Sequence, residues 1–427
     1  MTARILASIL AGVLSMACLA PSADADSPAT TRNAELPLHR EFTDRFLLGA
    51  AVNVFSLLDL DAERKASLLG HLDVALGAID DVPRCLARPE ERSRRAAARG
   101  GDSAAIRKLL LGQFNAVTAE NAMKWECIQP AEDRWIWGPA DVLVELAEEN
   151  GLHLTGHTLI WHQQAPAWLF EDASGNPASR ELLLQRMEKH INAVVGRYKG
   201  RAKSWDVVNE AINEHGSLRE SDWRRIIGDD YIDKAFAFAH AADPDARLYY
   251  NDYNMHAPGR RAGTIALVER LRAGGVPVHG IGMQGHLRID APETLDEFEK
   301  SIVAFGELGL DVAITELDVS VLPWPGEKQG GADIGERHDY ETLMNPFVNG
   351  LSEDVEAAFR QRYIDLFRLF LKHSDKIARV TFWGLNDGMS WRNNWPMRGR
   401  TDYALLIDRD NRLKPVWKEI IALKDTH

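Results

Sequence analysis

The chain has 427 residues, a formal net charge of −13, and 45% hydrophobic residues. An acidic protein disfavours the phosphate backbone of nucleic acids and suits a neutral or positively charged partner. The sequence has no CxxC pair, no HExxH motif and no glycine-rich phosphate loop. We therefore expect no nucleic-acid partner, no metal and no cofactor.

The first 25 residues have the pattern of a secretory signal peptide. Arg4 supplies a positive charge, residues 5–19 form an apolar stretch, and residues 23–25 (Ala-Asp-Ala) fit a small-x-small cleavage site. The apolar stretch is short for a membrane span, and no other stretch is long enough. A lipoprotein signal at Cys18 is the alternative, although Ser15 stands where such a signal needs leucine. We expect export to the periplasm or the medium, without a membrane span.

From Phe46 onward, short apolar stretches alternate with amphipathic ones, which predicts strands and helices in turn. The predicted strands are 46–52, 114–119, 153–158, 204–209, 246–251, 279–284, 311–316 and 379–384. The predicted helices lie near 102–112, 138–150, 179–198, 229–241, 259–273, 293–308, 353–373 and 412–423. Eight strand-then-helix units indicate an α/β fold, a single (β/α)8 TIM barrel, with an open doubly wound sheet as the alternative. The predicted organisation is a signal peptide (1–25), an N-terminal extension (26–41) and the barrel (42–427).

Two predicted strand-to-helix connections are longer than a barrel needs. They are residues 54–101 after the first strand and residues 319–352 after the seventh. Such connections lie on the face where barrels carry their active sites. We hypothesise that 54–101 closes one end of a cleft and so favours short substrates; a helical hairpin covering apolar barrel surface is the alternative. Cys85 in this segment could pair with Cys127, but sequence alone does not show that they are close.

Polar or aromatic residues follow all eight predicted strands. In chain order they are Asn53; Glu120, Asn121, Lys124 and Trp125; His157, Trp161, His162 and Gln164; Asn209 and Glu210; Asn251, Asp252 and Tyr253; Gln284 and His286; Glu316 and Asp318; and Trp383, Asn386 and Asp387. Any one of them could be an ordinary loop residue. Because the carboxyl ends of barrel strands meet at one face, we expect these side chains to converge there.

Two glutamates among these residues suggest a reaction. Glu210 and Glu316 each end an apolar stretch, in Ser-Trp-Asp-Val-Val-Asn-Glu and Val-Ala-Ile-Thr-Glu. Paired carboxyls on separate strands suit the cleavage of a glycosidic bond by an acid and a nucleophile. Twelve tryptophans, several of them beside polar strand ends, would offer flat surfaces for sugar rings.

The motifs around these strand ends resemble those of family 10 glycoside hydrolases. They are Glu120-Asn-Ala-Met-Lys-Trp125, Gly156-His-Thr-Leu-Ile-Trp-His162, Trp205-Asp-Val-Val-Asn-Glu-Ala211, Gly282-Met-Gln-Gly-His286, Ile314-Thr-Glu-Leu-Asp318, and Trp383-Gly-Leu-Asn-Asp387 with Trp391. The resemblance runs from about residue 42 to residue 423, interrupted by 54–101. Cys127 stands where a small hydroxyl residue is expected. The resemblance implies a (β/α)8 endo-1,4-β-xylanase that acts on xylan with retention of configuration and without a cofactor.

By position, the resemblance makes Glu210 the acid/base and Glu316 the nucleophile, with His286 and Asp318 orienting the nucleophile. Retention would place the two carboxyls about 5 to 5.5 Å apart, with the pKa of Glu210 raised and Glu316 ionised. Asn209 would bind the sugar 2-hydroxyl. The other implied substrate contacts are Glu120, Asn121, Lys124, His157, Trp161 and Gln164 on the glycone side; Asn251 and Tyr253 on the leaving-group side; Gln284; and Trp383 and Trp391 as aromatic walls.

Two alternatives concern function. The same mechanism could act on β-glucan or on short xylo-oligosaccharides. From a different class, a non-catalytic glycan-binding barrel would be marked by the loss of one glutamate, and both are present. We expect a monomer.

Overall fold

Parallel strands surrounded by helices form the described part of the chain. This computed structural model describes residues 37–57, 103–323, 344–396 and 398–426. Its strands are β1 (Leu47–Val52), β2 (Ala116–Ala119), β3 (His153–Trp161), β4 (Ser204–Asn209), β5 (Arg247–Asp252), β6 (Gly280–Met283), β7 (His286–Arg288), β8 (Asp311–Ser320) and β9 (Ile377–Phe382). β1 pairs with β2 on one side and with β9 on the other, and β6 pairs with β8. The sheet therefore closes into a barrel of eight strands, as predicted, and the open sheet is wrong.

The described helices lie around this barrel. They are α1 (Leu38–Glu41), α2 (Ser103–Gln113), α3 (Trp125–Ile128), α4 (Gly138–Glu149), α5 (Arg180–Arg197), α6 (Asp222–Ile227), α7 (Tyr231–Ala242), α8 (Pro258–Ala273), α9 (Asp296–Glu307), α10 (Glu353–Lys372) and α11 (Val416–Ala422). Short 3-10 segments lie at Val54–Ser56, Ala167–Phe170, Asp387–Met389, Trp391–Asn393 and Leu423–Thr426. Each of the eight predicted helices overlaps one of these, whereas α1, α3 and α6 were not predicted. In these described ranges, no helix is long and apolar enough to cross a membrane.

Helix α5 shows how local sequence produces the outer layer. Ser179 caps the helix, because its side chain accepts a hydrogen bond of 3.2 Å from the backbone N–H of Leu182. Leu183, Met187 and Ile191 recur four residues apart and are all fully buried. The helix thus covers the barrel with one apolar stripe and leaves its other face to solvent.

The strands differ from their predicted bounds mainly at the carboxyl ends. β8 continues past Glu316 to Ser320, and β3 continues to Trp161. The short strand β7 was not predicted, and it pairs His286 with Asp318 on β8. Polar side chains interrupt the apolar pattern at these points, although the backbone stays extended. These extensions carry two of the predicted site residues, Trp161 and Asp318.

Several predictions lie outside the described residues. They are the signal peptide and most of the N-terminal extension and of the two long connections, 54–101 and 319–352, so these boundaries stay predictions. Cys127 is disulfide-bonded. The other cysteines of the chain, Cys18 and Cys85, are not among the described residues.

A test of barrel packing concerns Gly156 on β3. A Cβ there would lie 2.1 Å from ring atoms of Trp205, which is fully buried on β4. We expect Gly156→Ala to lower the free energy of unfolding by about 1–3 kcal/mol, because a packed core resists added volume. Urea unfolding measures the change.

Gly196→Ala is the matched control. Gly196 is exposed within α5, and a Cβ there has no neighbour within 4 Å. Since alanine favours a helix over glycine, this variant should gain about 0.5–1 kcal/mol. Equal stability of both variants and the parent would contradict the tight contact at Trp205.

Candidate active site

The barrel brings Glu210 and Glu316 to the same end of the sheet. Glu210 follows β4 directly, and Glu316 lies within β8. The backbone N–H of Glu210 donates to the Asn251 carbonyl at 2.9 Å, and that of Glu316 donates to the Gln284 carbonyl at 2.7 Å. Glu210 has a φ of 58°, a left-handed conformation that is uncommon for a residue with a side chain. The chain therefore turns sharply at Glu210 while keeping its hydrogen bonds to neighbouring strands.

Three amide side chains join the two carboxyl groups. Gln284 Nε2 donates to Glu210 Oε1 at 3.0 Å, and Asn251 Nδ2 donates to Glu316 Oε1 at 2.8 Å. The Asn209 amide lies 2.9 Å from Asn251 Nδ2 and 3.3 Å from Gln284 Nε2. These five residues form one polar cluster, which we call the carboxyl cluster. A substrate atom placed there would meet both glutamates.

Asn251, predicted on the leaving-group side, lies inside the carboxyl cluster. Its side chain is fully buried, donates to Glu316, and accepts a 2.6 Å hydrogen bond from the Thr315 hydroxyl. The register of β4 and β5 pairs Asn251 with Asn209, which puts it between the two glutamates. Its contacts support a role in holding Glu316 in place.

His286 joins Glu316 to Asp318. Its Nε2 lies 3.2 Å from Glu316 Oε2, and its Nδ1 lies 3.0 Å from Asp318 Oδ2. Asp318 is completely buried and also accepts hydrogen bonds from Trp391 Nε1 at 2.8 Å and from Arg392 Nε at 2.7 Å. A histidine with a carboxylate on each side can donate from both ring nitrogens only as the cation.

The contacts between Glu316, His286 and Asp318 determine the charge that each of these side chains carries. Burial opposes the charged form of His286, but Asp318 and Glu316 outweigh it and raise the pKa of His286 to about 9. Burial would raise the pKa of Glu316, but the hydrogen bond from His286 and the charges of His157, His286 and Lys124 hold that pKa below its usual value. Arg392 and His286 likewise overcome burial and lower the pKa of Asp318. Glu316 is therefore an anion beside a cationic His286 at neutral pH.

Predicted glycone-side residues come together after β2 and β3. Lys124 Nζ lies 4.9 Å from the centre of the Trp161 ring and 5.9 Å from that of Trp383. It also donates to Asn121 Oδ1 at 3.2 Å. The His157 ring meets the face of Trp383 edge-on, with 5.2 Å between ring centres. Flat rings and hydrogen-bonding groups thus stand side by side, as a sugar-binding wall requires.

The remaining predicted contacts lie on the same end of the barrel. Glu120 and Gln164 are half-buried in the loops after β2 and β3. Trp391 is half-buried, with its ring centre 4.9 Å from that of His286 and 5.2 Å from that of Trp395. Trp395 is 44% exposed, so this pair extends from His286 toward solvent.

The sequence analysis missed Asp206, which supports His157. The register of β3 and β4 pairs these two residues, and Asp206 Oδ2 lies 2.8 Å from His157 Nδ1. Both side chains are buried, with about 2% exposure. The signal was a lone aspartate inside an apolar strand, which is unfavourable unless the charge has a partner.

Arg219 was also missed, because it lies in a loop without a recognisable pattern. Its Nε donates to the backbone carbonyl of Glu210 at 2.7 Å, and its second guanidinium nitrogen donates to the Tyr253 hydroxyl at 2.9 Å. Arg260 stacks on Tyr253, with 3.9 Å between the guanidinium carbon and the ring centre. Tyr253, predicted on the leaving-group side, is thus tied to the backbone of Glu210.

The chain is similar to known proteins. Residues 93–423 match the family model described as Glycosyl hydrolase family 10. The chain belongs to this family. The family 10 resemblance deduced from the motifs is therefore confirmed, and all of those motifs lie within the matched residues.

Relatives in family 10 cover most of the chain. Endo-1,4-beta-xylanase A of Xylanibacter ruminicola is 50% identical over 310 residues, which is 73% of this chain and 84% of the relative. The endo-1,4-beta-xylanase of Geobacillus stearothermophilus is 40% identical over 323 residues, 75% of this chain and 92% of the relative. A solved GH10 endoxylanase from a sugarcane soil metagenome has a TM-score of 0.75 at 37% identity and covers 91% of this chain and 99% of its own.

The charge on His286 predicts how stability changes with pH. Since its pKa rises from 6.5 to about 9 on folding, the cation stabilises the folded protein fully below 6.5, and this stabilisation is lost as the pH rises through 9. We expect the stability difference between the parent and His286→Gln to shrink over this interval. Urea unfolding at a series of pH values measures it.

His215→Gln provides the control, because His215 is exposed outside the carboxyl cluster. Its difference from the parent should stay small at every pH. A difference between the parent and His286→Gln that does not change with pH would contradict a cationic His286.

Proposed function

We propose that Glu316 is the nucleophile and Glu210 the acid/base of this protein, which is an endo-1,4-β-xylanase of family 10. The observation that carries the proposal is the asymmetry of the two carboxyls. Glu316 is held as an anion by His286, while Glu210 contacts neutral amides, with Gln284 Nε2 at 3.0 Å. One group is thus prepared to attack, and the side-chain partners of the other among the described residues are neutral.

The reaction takes two displacements. Glu316 attacks the anomeric carbon while Glu210 protonates the departing glycosidic oxygen, which leaves a glycosyl ester on Glu316. Glu210 then removes a proton from water, and the water attacks the same carbon and releases Glu316. Two inversions retain the configuration. Asn209 lies 3.4 Å from Glu210 Oε1, so a sugar 2-hydroxyl bound there would sit between the two carboxyls.

Xylan is the substrate that the family implies, and the described wall suits a pentose chain. Trp161 and Trp383 offer ring faces, and Lys124 offers a donor between them. Shorter xylo-oligosaccharides and β-glucan remain the alternatives within the same mechanism. A glucose unit carries a hydroxymethyl group, and Lys124 and Trp383 are the residues that we expect to limit room for it.

We further propose that the protein is exported. The support for export is the signal-peptide pattern of the first 25 residues, with its small-x-small site at Ala25. Expression with the native N-terminus, followed by intact-mass analysis of the exported protein, should give a chain that starts at Asp26. A lipid-modified chain starting at Cys18 would instead support the lipoprotein alternative.

The roles of the two glutamates are tested by substitution. We expect Glu316→Ala to reduce release of xylo-oligosaccharides from glucuronoxylan at least about a thousand-fold, because the nucleophile is lost. Glu210→Ala should lose activity on natural substrates but still react with an aryl β-xylobioside whose leaving group needs no proton, and added azide should then give the β-xylobiosyl azide.

Proton NMR of the early products tests whether the configuration is retained, and digestion of a second polysaccharide tests the substrate assignment. The first reducing-end sugar to form should be the β-anomer, whereas an initial α-anomer would contradict retention. Mixed-linkage β-glucan is digested in parallel, and product release mainly from it would overturn the substrate assignment. A folded parent protein that binds xylan but releases nothing would favour the glycan-binding alternative.

A further inference from the structure

We propose that Tyr250 is a positioning residue for the acid/base, because its hydroxyl fixes the peptide that follows Glu210 and so aims the carboxyl group at the leaving oxygen. The inference rests on the proposed role of Glu210. It assigns a function to a tyrosine that is completely buried on β5 behind the carboxyl cluster.

Glu210 needs such a support because of its backbone. Its φ of 58° is a left-handed conformation that costs free energy in a residue with a side chain, so it persists only where neighbouring groups impose it. Asn209 ends β4 in extended conformation just before it. The direction of the Glu210 side chain is therefore set by how the turn after β4 is held.

The Tyr250 hydroxyl meets this turn at two points. It accepts hydrogen bonds from the backbone N–H groups of Ala211 at 3.0 Å and Ile212 at 2.9 Å. Its own proton is donated to Asp252 Oδ2, which also lies 3.3 Å from the Ile212 nitrogen. The hydroxyl thus uses its donor and both acceptor positions, all in buried surroundings. The buried N–H of Ala211 donates to this oxygen, and that of Ile212 is shared between it and Asp252 Oδ2; both residues directly follow Glu210.

Asp252 fixes the orientation of the Tyr250 hydroxyl in turn. Its Oδ1 accepts hydrogen bonds from the Arg260 guanidinium at 3.0 Å and from the Tyr253 backbone N–H at 2.9 Å. Asp252 and Arg260 are both completely buried, so this ion pair is shielded from solvent. Tyr253 is the residue predicted to contact the leaving-group sugar. One buried chain of contacts therefore joins the turn after Glu210 to the leaving-group side of the site.

Within the part of the chain that the structure describes, the carboxyl group of Glu210 meets two side chains. Its Oε1 meets Gln284 at 3.0 Å and Asn209 at 3.4 Å, and both partners are neutral amides. The rest of the restraint acts on the backbone, through Asn251 at the nitrogen, Arg219 at the carbonyl, and Tyr250 at the next two nitrogens. Loosening the turn should therefore change the aim of the carboxyl and leave Glu316 and His286 in place.

Tyr250→Phe tests this with two substrates that differ in their need for an acid. A xylo-oligosaccharide has a sugar alkoxide as leaving group and requires protonation by Glu210, whereas 2,4-dinitrophenyl β-xylobioside releases a stable phenolate. We expect kcat/KM to fall about ten-fold or more on xylohexaose and to stay within about two-fold on the dinitrophenyl substrate. An equal fall on both, or no fall on either, would overturn the proposal.

Glu210→Ala, measured on the same two substrates, separates this inference from the proposed function. If Glu210→Ala shows the split between substrates and Tyr250→Phe does not, only the role of Tyr250 fails. If Glu210→Ala shows no split, the acid/base assignment fails and the inference falls with it. A split in both variants, smaller in Tyr250→Phe, supports the inference.

Tyr198→Phe is the matched control, because Tyr198 is also fully buried and its hydroxyl also donates to a carboxylate, Asp141 Oδ1, at 3.0 Å. It lies just after α5 on the outer layer, so its loss should affect stability without a split between substrates. Asp252→Asn is the second variant, and comparing the two substrates within it cancels the stability cost of leaving Arg260 without its buried partner. It keeps the shape of the side chain but removes the charge that orients the Tyr250 hydroxyl, and we expect the same split.

Covalent labelling reports whether the nucleophile half of the site is intact in each variant. A 2-deoxy-2-fluoro xylobioside with a dinitrophenyl leaving group should form a stable ester on Glu316 without help from the acid. We expect Tyr250→Phe to be labelled at a rate within about two-fold of the parent. Loss of labelling together with loss of activity would show general damage to the site and would overturn a positioning role.

Discussion

The cationic His286 between Glu316 and Asp318 is the contact on which the reactive end of the barrel depends. A carboxylate buried as deeply as Glu316 tends to take up a proton, and a protonated carboxyl group is a poor nucleophile. His286 prevents this because its own charge is held by Asp318, which in turn is held by Arg392 and Trp391. The charge on Glu316, the proposed nucleophile, is thus set by residues two contacts away. The fold provides for this with the short strand β7, which pairs His286 with Asp318 next to Glu316.

The second glutamate is treated differently. Glu210 is half-buried and meets amides, and what fixes it is the backbone turn at a φ of 58°. Two carboxyl groups of the same chemical type can act as acid and nucleophile only if their surroundings give them different protonation states. Here the cation of His286 acts on Glu316, whereas Glu210 is distinguished by the backbone turn that fixes it. Asn209, Asn251 and Gln284 connect the two halves without adding a charge to either.

The sequence predicted well whatever depends on local pattern. Apolar stretches gave the strands, and polar residues at strand ends gave the glutamates, His286, Asp318 and the tryptophans of the wall. It predicted poorly whatever depends on register between strands. His157 and Asp206 face each other because β3 and β4 pair at those positions, and Asn251 lies between the glutamates because β5 pairs it with Asn209. Arg219, Arg392 and Tyr250 have no local signature, because each acts by reaching across to another element. The resemblance to family 10 implies roles for the positions that match its motifs, but it does not predict these supporting contacts.

Buried ionic pairs make the site difficult to analyse by simple deletion. Asp252 with Arg260, and Asp318 with Arg392, are almost completely removed from solvent. Taking away one member of such a pair leaves a buried charge without a partner, which destabilises a protein strongly whatever the role of the pair in the reaction. Loss of activity alone therefore cannot assign a function to these residues, since catalytic, positioning and structural roles would all produce it. Measurements that compare two substrates, or two pH values, within one variant cancel the common effect of stability. What remains is the part of the change that belongs to the proposed proton transfer at Glu210 or to the charge at Glu316, and the structure supports these two residues by separate sets of contacts.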